Sequence, residues 1–461
     1  MTSPQEVVER VLAASTSRGC TVLVRSTSVA NLRWARSTLT TNGETVAMSV
    51  TVVAFVDVPD GVGVGSVTVS APSVAELPDL LRRAQDMAAQ SGAAEDARDL
   101  VTGVTESADW TDSPAVSTSA AFVELAPQLG SVFIAARGDD IELFGFAEQL
   151  VTTTYLGTST GVRLRWVEPE ARLELTAKSH ARSRSTWVGR AGRDLADLDL
   201  AQVDRELRQG LAWQAHPVDV GPGRHTAVLS PSCVADLMIE LYWSSIGREA
   251  HDGRSVWSNP GGGTRVGESI ADGRVTLWSD PAMPGYESLP FVATGGSSAS
   301  TSVFDNGLAL EQVRWIGDGV LENLVTSRHT AQETGLAVRP GVGNLRLDIT
   351  GGTGDLADVI ARTADGLYVN CLWYNRIVDA QTLLLTGLTR DGVYQVRGGE
   401  VVGAVTNFRF NDSPVGILSR VRDAGAPVGC LGREMADYFN RAVMPPLVID
   451  AYNFSTVSQA N

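Results

Sequence analysis

The residues that could do chemistry are few and scattered. The five histidines are His180, His216, His225, His251 and His329. No two of them have the H-E-x-x-H spacing that sets two imidazoles on one helix face beside a general base. Potential ligands crowd only at Glu249-Ala250-His251-Asp252, a pattern that polar loops share. A nucleophile elbow needs Gly-x-Ser-x-Gly, which does not occur. Gly295-Gly296-Ser297-Ser298 is glycine-rich, but no helical stripe follows it. Gly261-Gly262-Gly263-Thr264 lacks the Gly-Lys-Ser/Thr ending of a phosphate loop. Gly61-x-Gly63-x-Gly65 runs into a strand rather than a helix, and Gly341-Val342-Gly343 is isolated. Cys20, Cys233, Cys371 and Cys430 lie far apart with no C-x-x-C. Neither a disulfide framework nor a zinc ribbon is expected, and a reducing cytoplasm is the default. Cys233 reads as a helix-face core residue and Cys371 as a strand core residue.

The composition is that of a globular protein: 43% hydrophobic and 20% charged over 461 residues. At about 150 residues per domain the length corresponds to two or three domains. No apolar run reaches the ~18 residues of a membrane-spanning helix. The opening Met1-Thr2-Ser3-Pro4-Gln5-Glu6 lacks the basic-then-apolar layout of a signal peptide. The formal net charge is −16, and Lys178 is the only lysine. With alanine, valine and glycine abundant, this is the codon bias of a GC-rich bacterial genome. A chain so acidic is repelled by phosphate backbones, so no nucleic-acid partner is expected without a local basic patch. The densest basic cluster, Arg163, Arg165, Arg172, Lys178, Arg182, Arg184 and Arg190, is interleaved with Glu168, Glu170 and Glu174 and reads as solvated strand faces.

The elements that must position these residues alternate between helices and strands. Ser3, Pro4 and Glu6 form a capping box ahead of the stripe Val7, Val8, Val11 and Leu12. Strands are expected at Cys20–Arg25, Asn31–Thr38, Val46–Val58 and Val62–Ser70. A second helix follows, capped by Ser73 with Glu76 at N3. Small polar residues over 91–120 mark a boundary. Beyond it come a helix from Ala120, strands at Val132–Ala136, Ile141–Thr153 and Gly161–Thr176, and a helix at Leu198–Trp213. From 225 onward the chain is rich in glycine and strand patterns, with helices at Ser230-Pro231 and Gly354–Arg362. A hairpin is expected over Asp391–Val405. The fold class is α+β: an N-terminal α+β domain (1–115), a central α+β domain (116–222) and a large β-rich C-terminal domain (223–461).

The series of segments resembles the TldD/PmbA (TldE) family of bacterial peptidase subunits over nearly the whole chain. The N-terminal part carries Asn31-Leu32-Arg33-Trp34-Ala35-Arg36-Ser37, Thr40-Thr41-Asn42-Gly43 and Leu81-Arg82-Arg83-Ala84. The C-terminal part carries Phe304-Asp305-Asn306-Gly307, Asp318-Gly319-Val320-Leu321-Glu322-Asn323, Leu384–Tyr394 and Gly399–Val405. The resemblance implies a cytoplasmic heterodimer. Its TldD-type subunit binds zinc through H-E-x-x-x-H on a helix and a distant cysteine, and the TldE-type subunit lacks these ligands and helps enclose unfolded peptides. The matching helix here is Pro231–Ser245. With Glu240 on the family's glutamate, Ile239 and Ser244 stand at the histidine positions, and Cys430 falls near the third ligand. Isoleucine cannot ligate a metal and serine is a poor zinc ligand. A slip of a few residues would bring in Glu249 and His251, which still supplies only one histidine.

The resemblance therefore implies a TldE-like chain with no catalytic residue and no metal of its own. Its partners would be a zinc-bearing TldD-type subunit and unfolded peptide, not nucleic acid or membrane. Simpler readings stand beside these. Glu240 reads more readily as a solvated helix residue than as a remnant that contacts substrate, Cys430 as a small buried hydrophobe, and Tyr368, Trp373 and Tyr374 as core rather than a peptide-facing strip. The alternative functions are a non-proteolytic binding or scaffold protein and a tailoring enzyme of peptide natural-product biosynthesis.

Overall fold

The computed structural model describes residues 2–458. Its N-terminal part is one six-stranded antiparallel sheet in the order β3-β2-β1-β4-β5-β6. The strands are β1 (Gly19–Ala35), β2 (Thr38–Val58), β3 (Gly61–Ser70), β4 (Glu142–Thr158), β5 (Arg163–Ser179) and β6 (Arg184–Gly192). Alternation decides which face meets what. On one face Val22, Val24, Val50, Val52 and Tyr155 receive helices α1 (Pro4–Ala14) and α2 (Leu77–Gln90). Further along the same face, Leu32, Trp34, Leu143, Leu173 and Leu175 receive α3 (Leu125–Gly138) and α4 (Leu200–Trp213). On the opposite face Leu23, Leu156 and Leu164 meet Phe291, and Val53 and Phe55 meet Phe304, so the C-terminal part packs there.

Several local expectations hold. Ser3 caps α1 by accepting the Glu6 amide, but the expected capping box does not close, because the Glu6 carboxylate bonds Arg10 instead of the Ser3 amide. Ser73 and Glu76 form a reciprocal capping box ahead of α2. Others change. The segment expected as the strand Val132–Ala136 lies inside α3, because Leu125, Leu129, Phe133 and Ala136 recur at the helical period and all face the core. The strand expected at Asn31–Thr38 contains a chain reversal. Arg36 and Ser37 adopt φ of 52° and 54° and join β1 to β2 in a tight hairpin that carries neither glycine nor asparagine. Finally, β1 pairs with β4 over Thr21–Trp34, so the sheet runs unbroken across the boundary expected at residue 115.

The C-terminal part holds two sheets around one helix. The first contains β7 (Gly223–Leu229), β12 (Asp365–Asp379), β13 (Leu384–Arg397), β14 (Glu400–Val405), β15 (Phe408–Asp412), β16 (Val421–Ala424) and β19 (Leu447–Val457). Because β12 pairs with both β7 and β13, the path β12-β7-β19-β15-β13 closes on itself. The second sheet is β10-β9-β8-β11-β18-β17, built from β8 (Val275–Ser279), β9 (Val313–Gly317), β10 (Val320–Leu321), β11 (Leu345–Ile349), β17 (Val428–Cys430) and β18 (Ala442–Met444). Between the sheets runs α5 (Pro231–Trp243), touching β12 and β7 on one side and β17 and β18 on the other. Short helices lie around this core, among them α6 (Gly247–His251) and α7 (Arg328–Thr334). Among the described residues no helix is long and apolar enough to cross a membrane. The basic cluster is largely paired: Arg163 to Glu9, Arg172 to Glu174, Arg182 to Glu142 and Arg190 to Glu206.

Candidate functional site

Helix α5 begins where its sequence says it should. The Ser230 side chain accepts the Cys233 amide at 3.1 Å, Pro231 occupies the first turn, and the Ser230 hydroxyl donates to the Asn370 carbonyl. From Cys233 to Tyr242 every residue is buried except Glu240. A helix apolar on all sides belongs in a core. Beyond the half-buried Pro231 and Ser232 at its start, solvent therefore reaches α5 along one stripe, the i, i+3, i+4 set Glu240, Trp243 and Ser244. Trp243 is 40% exposed.

The expected positions fare differently. Ile239 has no exposed surface and sits in the main core. Ser244 ends the helix and donates its hydroxyl to the Leu241 carbonyl at 2.7 Å. Glu240 is half-buried; burial and the neighbouring Glu434 raise its carboxyl above the ordinary value, with Arg376 opposing. Cys430 lies in β17, against α5. Its thiol is buried, faces the Ala442 carbonyl, and is pushed up to about 12 by burial. Isoleucine and a self-bonded serine supply no zinc ligand, which leaves Cys430 as the one candidate among the three positions.

The residue of α5 that interacts with the Cys430 segment is Asp236. It is fully buried, and its Oδ1 accepts the Glu434 and Met435 amides at 3.0 and 3.2 Å, while Oδ2 has no partner. Burial pushes this carboxyl well above its usual range; the two amides pull it down and Glu434 pushes it further up. The loop comes this close because residue 432 is glycine: a Cβ there would stand 2.6 Å from Asp236 Oδ1 and 3.4 Å from the Ala235 side chain. Glu434 is itself fixed, accepting the Tyr374 amide and Arg376, each at 2.9 Å. Next to it, Arg433 donates to the Cys371 sulfur at 2.9 Å and to Asp391, and lies over the Trp187 and Trp373 rings at 5.1 Å each. Burial pushes the Asp391 carboxyl up, but Arg433 and the Ser185 hydroxyl outweigh it and leave it below the ordinary value. This cluster ties β6 to the C-terminal part.

A cavity of about 510 Å³ opens at the C-terminal end of α5. Tyr242, Trp243, Phe439, Phe291 and Leu289 line it, and Asp305, held by Arg328, supplies a charge. Of the three aromatic residues weighed from sequence, Tyr368 is core, stacked on Tyr394 at 5.6 Å, whereas Tyr374 is 54% exposed and bonded through its amide to Glu434. His251 is exposed on α6. Among the described residues one group of three potential metal ligands converges, Glu95, His329 and Glu333. Arg248 already bridges its two carboxylates.

Sequence reasoning locates α5 and Glu240 but misses Asp236, Arg433 and Glu434. Asp236 leaves a signal, as the one charged residue in the apolar run Cys233–Ile239. The other two leave none.

Residues 222–456 match a family described as the PmbA/TldA metallopeptidase C-terminal domain. No curated protein matches the sequence. Among solved structures, the chain is similar to TldE from Thermococcus kodakarensis, with TM-score 0.77 and 15% identity, covering 97% of this chain and 99% of that one. It is similar to a candidate modulator of DNA gyrase from Bacteroides thetaiotaomicron, with TM-score 0.77, 15% identity and 99% and 100% coverage. A further candidate gyrase modulator, from Thermotoga maritima, has TM-score 0.74, 14% identity and 97% and 99% coverage. At these identities the likeness is one of fold.

Proposed function

The chain belongs to the PmbA/TldD metallopeptidase family, and on that premise we propose that it is a TldE-like subunit of a cytoplasmic heterodimeric peptidase. In this reading the zinc and the hydrolytic chemistry reside in a TldD-type partner. The present chain helps enclose the unfolded peptide. One observation carries the reading: the helix expected to bear the metal ligands has Ile239 locked in the core and Ser244 bonded to its own helix, which leaves Cys430 of β17 as the one candidate zinc ligand of the three positions. The fold it shares with TldE from Thermococcus kodakarensis over nearly its full length supports the subunit type.

The exposed stripe Glu240–Trp243–Ser244 beside the apolar cavity is the surface we assign to the peptide or the catalytic partner. Binding through the peptide backbone would keep side-chain selectivity low. The test is co-expression with a TldD-type subunit and an assay on an unfolded peptide. Cleavage is expected from the pair and not from this chain alone. A pair that cuts a single short motif, with the motif preference transferred by swapping residues of this chain, would contradict the backbone-binding part.

A further inference from the structure

Every hydroxyl and carboxylate that borders the cavity beside α5 is already bonded within the chain. The Tyr242 hydroxyl holds the Val342 carbonyl at 2.9 Å and the Val342 amide at 2.7 Å. Both Asp305 oxygens are taken by Arg328. Ser302 donates to Asp96, and Thr294 and Thr301 donate to the Gly296 carbonyl. Ser300 pairs with Ser298, and Ser327 with Thr330. What faces an occupant is apolar and aromatic wall, built from Trp243, Phe439, Phe291 and Leu289. A polar side chain entering gives up its water and finds no free partner among these groups, whereas an apolar one gains burial. The volume, about 510 Å³, lies within the ~300–1,000 Å³ of pockets that enclose small ligands, so the largest apolar side chains fit. The approach is acidic. Trp243 belongs both to the cavity wall and to the exposed stripe of α5, and Glu240 stands one turn back. The charges acting on Glu240 are those of Glu434 and Arg376, so two carboxylates stand against one guanidinium.

We infer that this cavity anchors one bulky apolar side chain of an unfolded peptide and favours basic over acidic residues beside that anchor. The inference rests on the peptide-enclosing role proposed above and gives it a selection rule. Folded proteins bury their bulky apolar residues and unfolded chains expose them. A single apolar anchor therefore admits unfolded chains as a class without reading a motif, and backbone binding on either side stays tolerant of sequence. A free fatty acid, the competing apolar occupant, would bring its carboxylate to an approach that already carries two.

Fluorescence anisotropy with labelled unfolded peptides tests this on the full chain, alone and with a TldD-type subunit. The peptides share a Gly/Ser/Asn background and differ at one central residue, Phe, Leu or Gln, flanked by Lys or by Glu. The Phe and Leu peptides are expected to bind about tenfold or more tighter than the Gln peptide, the worth of burying a large apolar side chain. Lys flanks bind tighter than Glu flanks, and added salt narrows that gap. Ser300→Phe fills the cavity from a half-buried position in its wall. It weakens the Phe peptide to the level of the Gln peptide and leaves the Gln peptide unchanged. Nile red, an uncharged apolar dye, is displaced by the Phe peptide and not by the Gln peptide. A wild-type chain that binds none of the peptides, or binds Phe and Gln equally, overturns the inference without any variant. So does equal binding of Lys- and Glu-flanked peptides at low salt, a folded Ser300→Phe chain that keeps its Phe preference, or nile red that the Phe peptide does not displace. Cleavage is scored separately. A pair that cuts peptides with no apolar preference removes the anchor and leaves the subunit role, and an anchor without cleavage does the reverse.

Discussion

Asp236 is the most constrained ionisable residue of the site, a carboxyl with one oxygen bonded to two amides and the other unpartnered. Its folded-state pKa lies well above the ordinary value near 3.9, so the folded chain holds that proton more tightly than the unfolded chain does. The stability contributed by the protonated form is complete below about pH 4 and is lost as pH rises through the raised value. Asp236→Asn keeps the oxygen that accepts both amides and removes the titration. The variant should gain on the wild type as pH is raised from 4 to 8, by up to about 1.4 kcal/mol for each tenfold difference in proton affinity. Urea denaturation across that range reads it, and a difference between the two proteins that does not change with pH would refute the assignment. Ile239 and Ser244 give a second prediction. Ile239→His with Ser244→His places an unpartnered imidazole where a core side chain packs, at a cost of about 2 kcal/mol or more. The positions are five apart, roughly 140° around a regular helix, so the rings diverge. The double variant should lose stability and bind no stoichiometric zinc, as read by denaturation and metal analysis. Tight zinc binding would show that Cys430 and α5 can close into a site after all.

Among the elements, the approach of the Gly432 loop to α5 decides how the site is built. Gly432→Ala forces a Cβ to within 2.6 Å of Asp236 Oδ1, between a buried helix and a strand that cannot both move away. A loss of about 1–3 kcal/mol is expected from such overpacking. Unchanged stability in denaturant would mean that the loop is looser than described. Which elements are legible in the sequence follows from where their causes lie. The α5 start is legible because Ser230 and Pro231 act locally, and the Ser73/Glu76 box for the same reason. Part of α3 reads as a strand because Ser131-Val132-Phe133-Ile134 has strand-like composition, whereas its buried residues follow the helical period from Leu125 onward. The Arg36-Ser37 hairpin is invisible because two left-handed residues sit there without the usual glycine or asparagine. The contacts of Asp236 with Glu434 and Met435 span nearly 200 positions, and no local pattern announces them.

In the molecule as a whole, one long sheet carries two pairs of helices on one face and a C-terminal body on the other, and that body encloses α5 between two sheets. The α+β class and the β-rich C-terminal half are readable from turn signals and alternation. The continuity of the first sheet is not, because the polar stretch around 91–120 crosses the surface while β1 and β4 pair regardless of it. The architecture gives the chain a buried central helix, one accessible stripe and a cavity, and among the described residues no three metal ligands gather along that helix. The decisive experiment is to purify the chain alone and together with a TldD-type subunit, and to measure zinc per subunit alongside cleavage of an unfolded peptide. Zinc is expected in the partner, with none held stoichiometrically by the present chain, and cleavage only by the pair. Stoichiometric zinc bound through this chain's own side chains, or peptide cleavage by this chain alone, would contradict the proposed role.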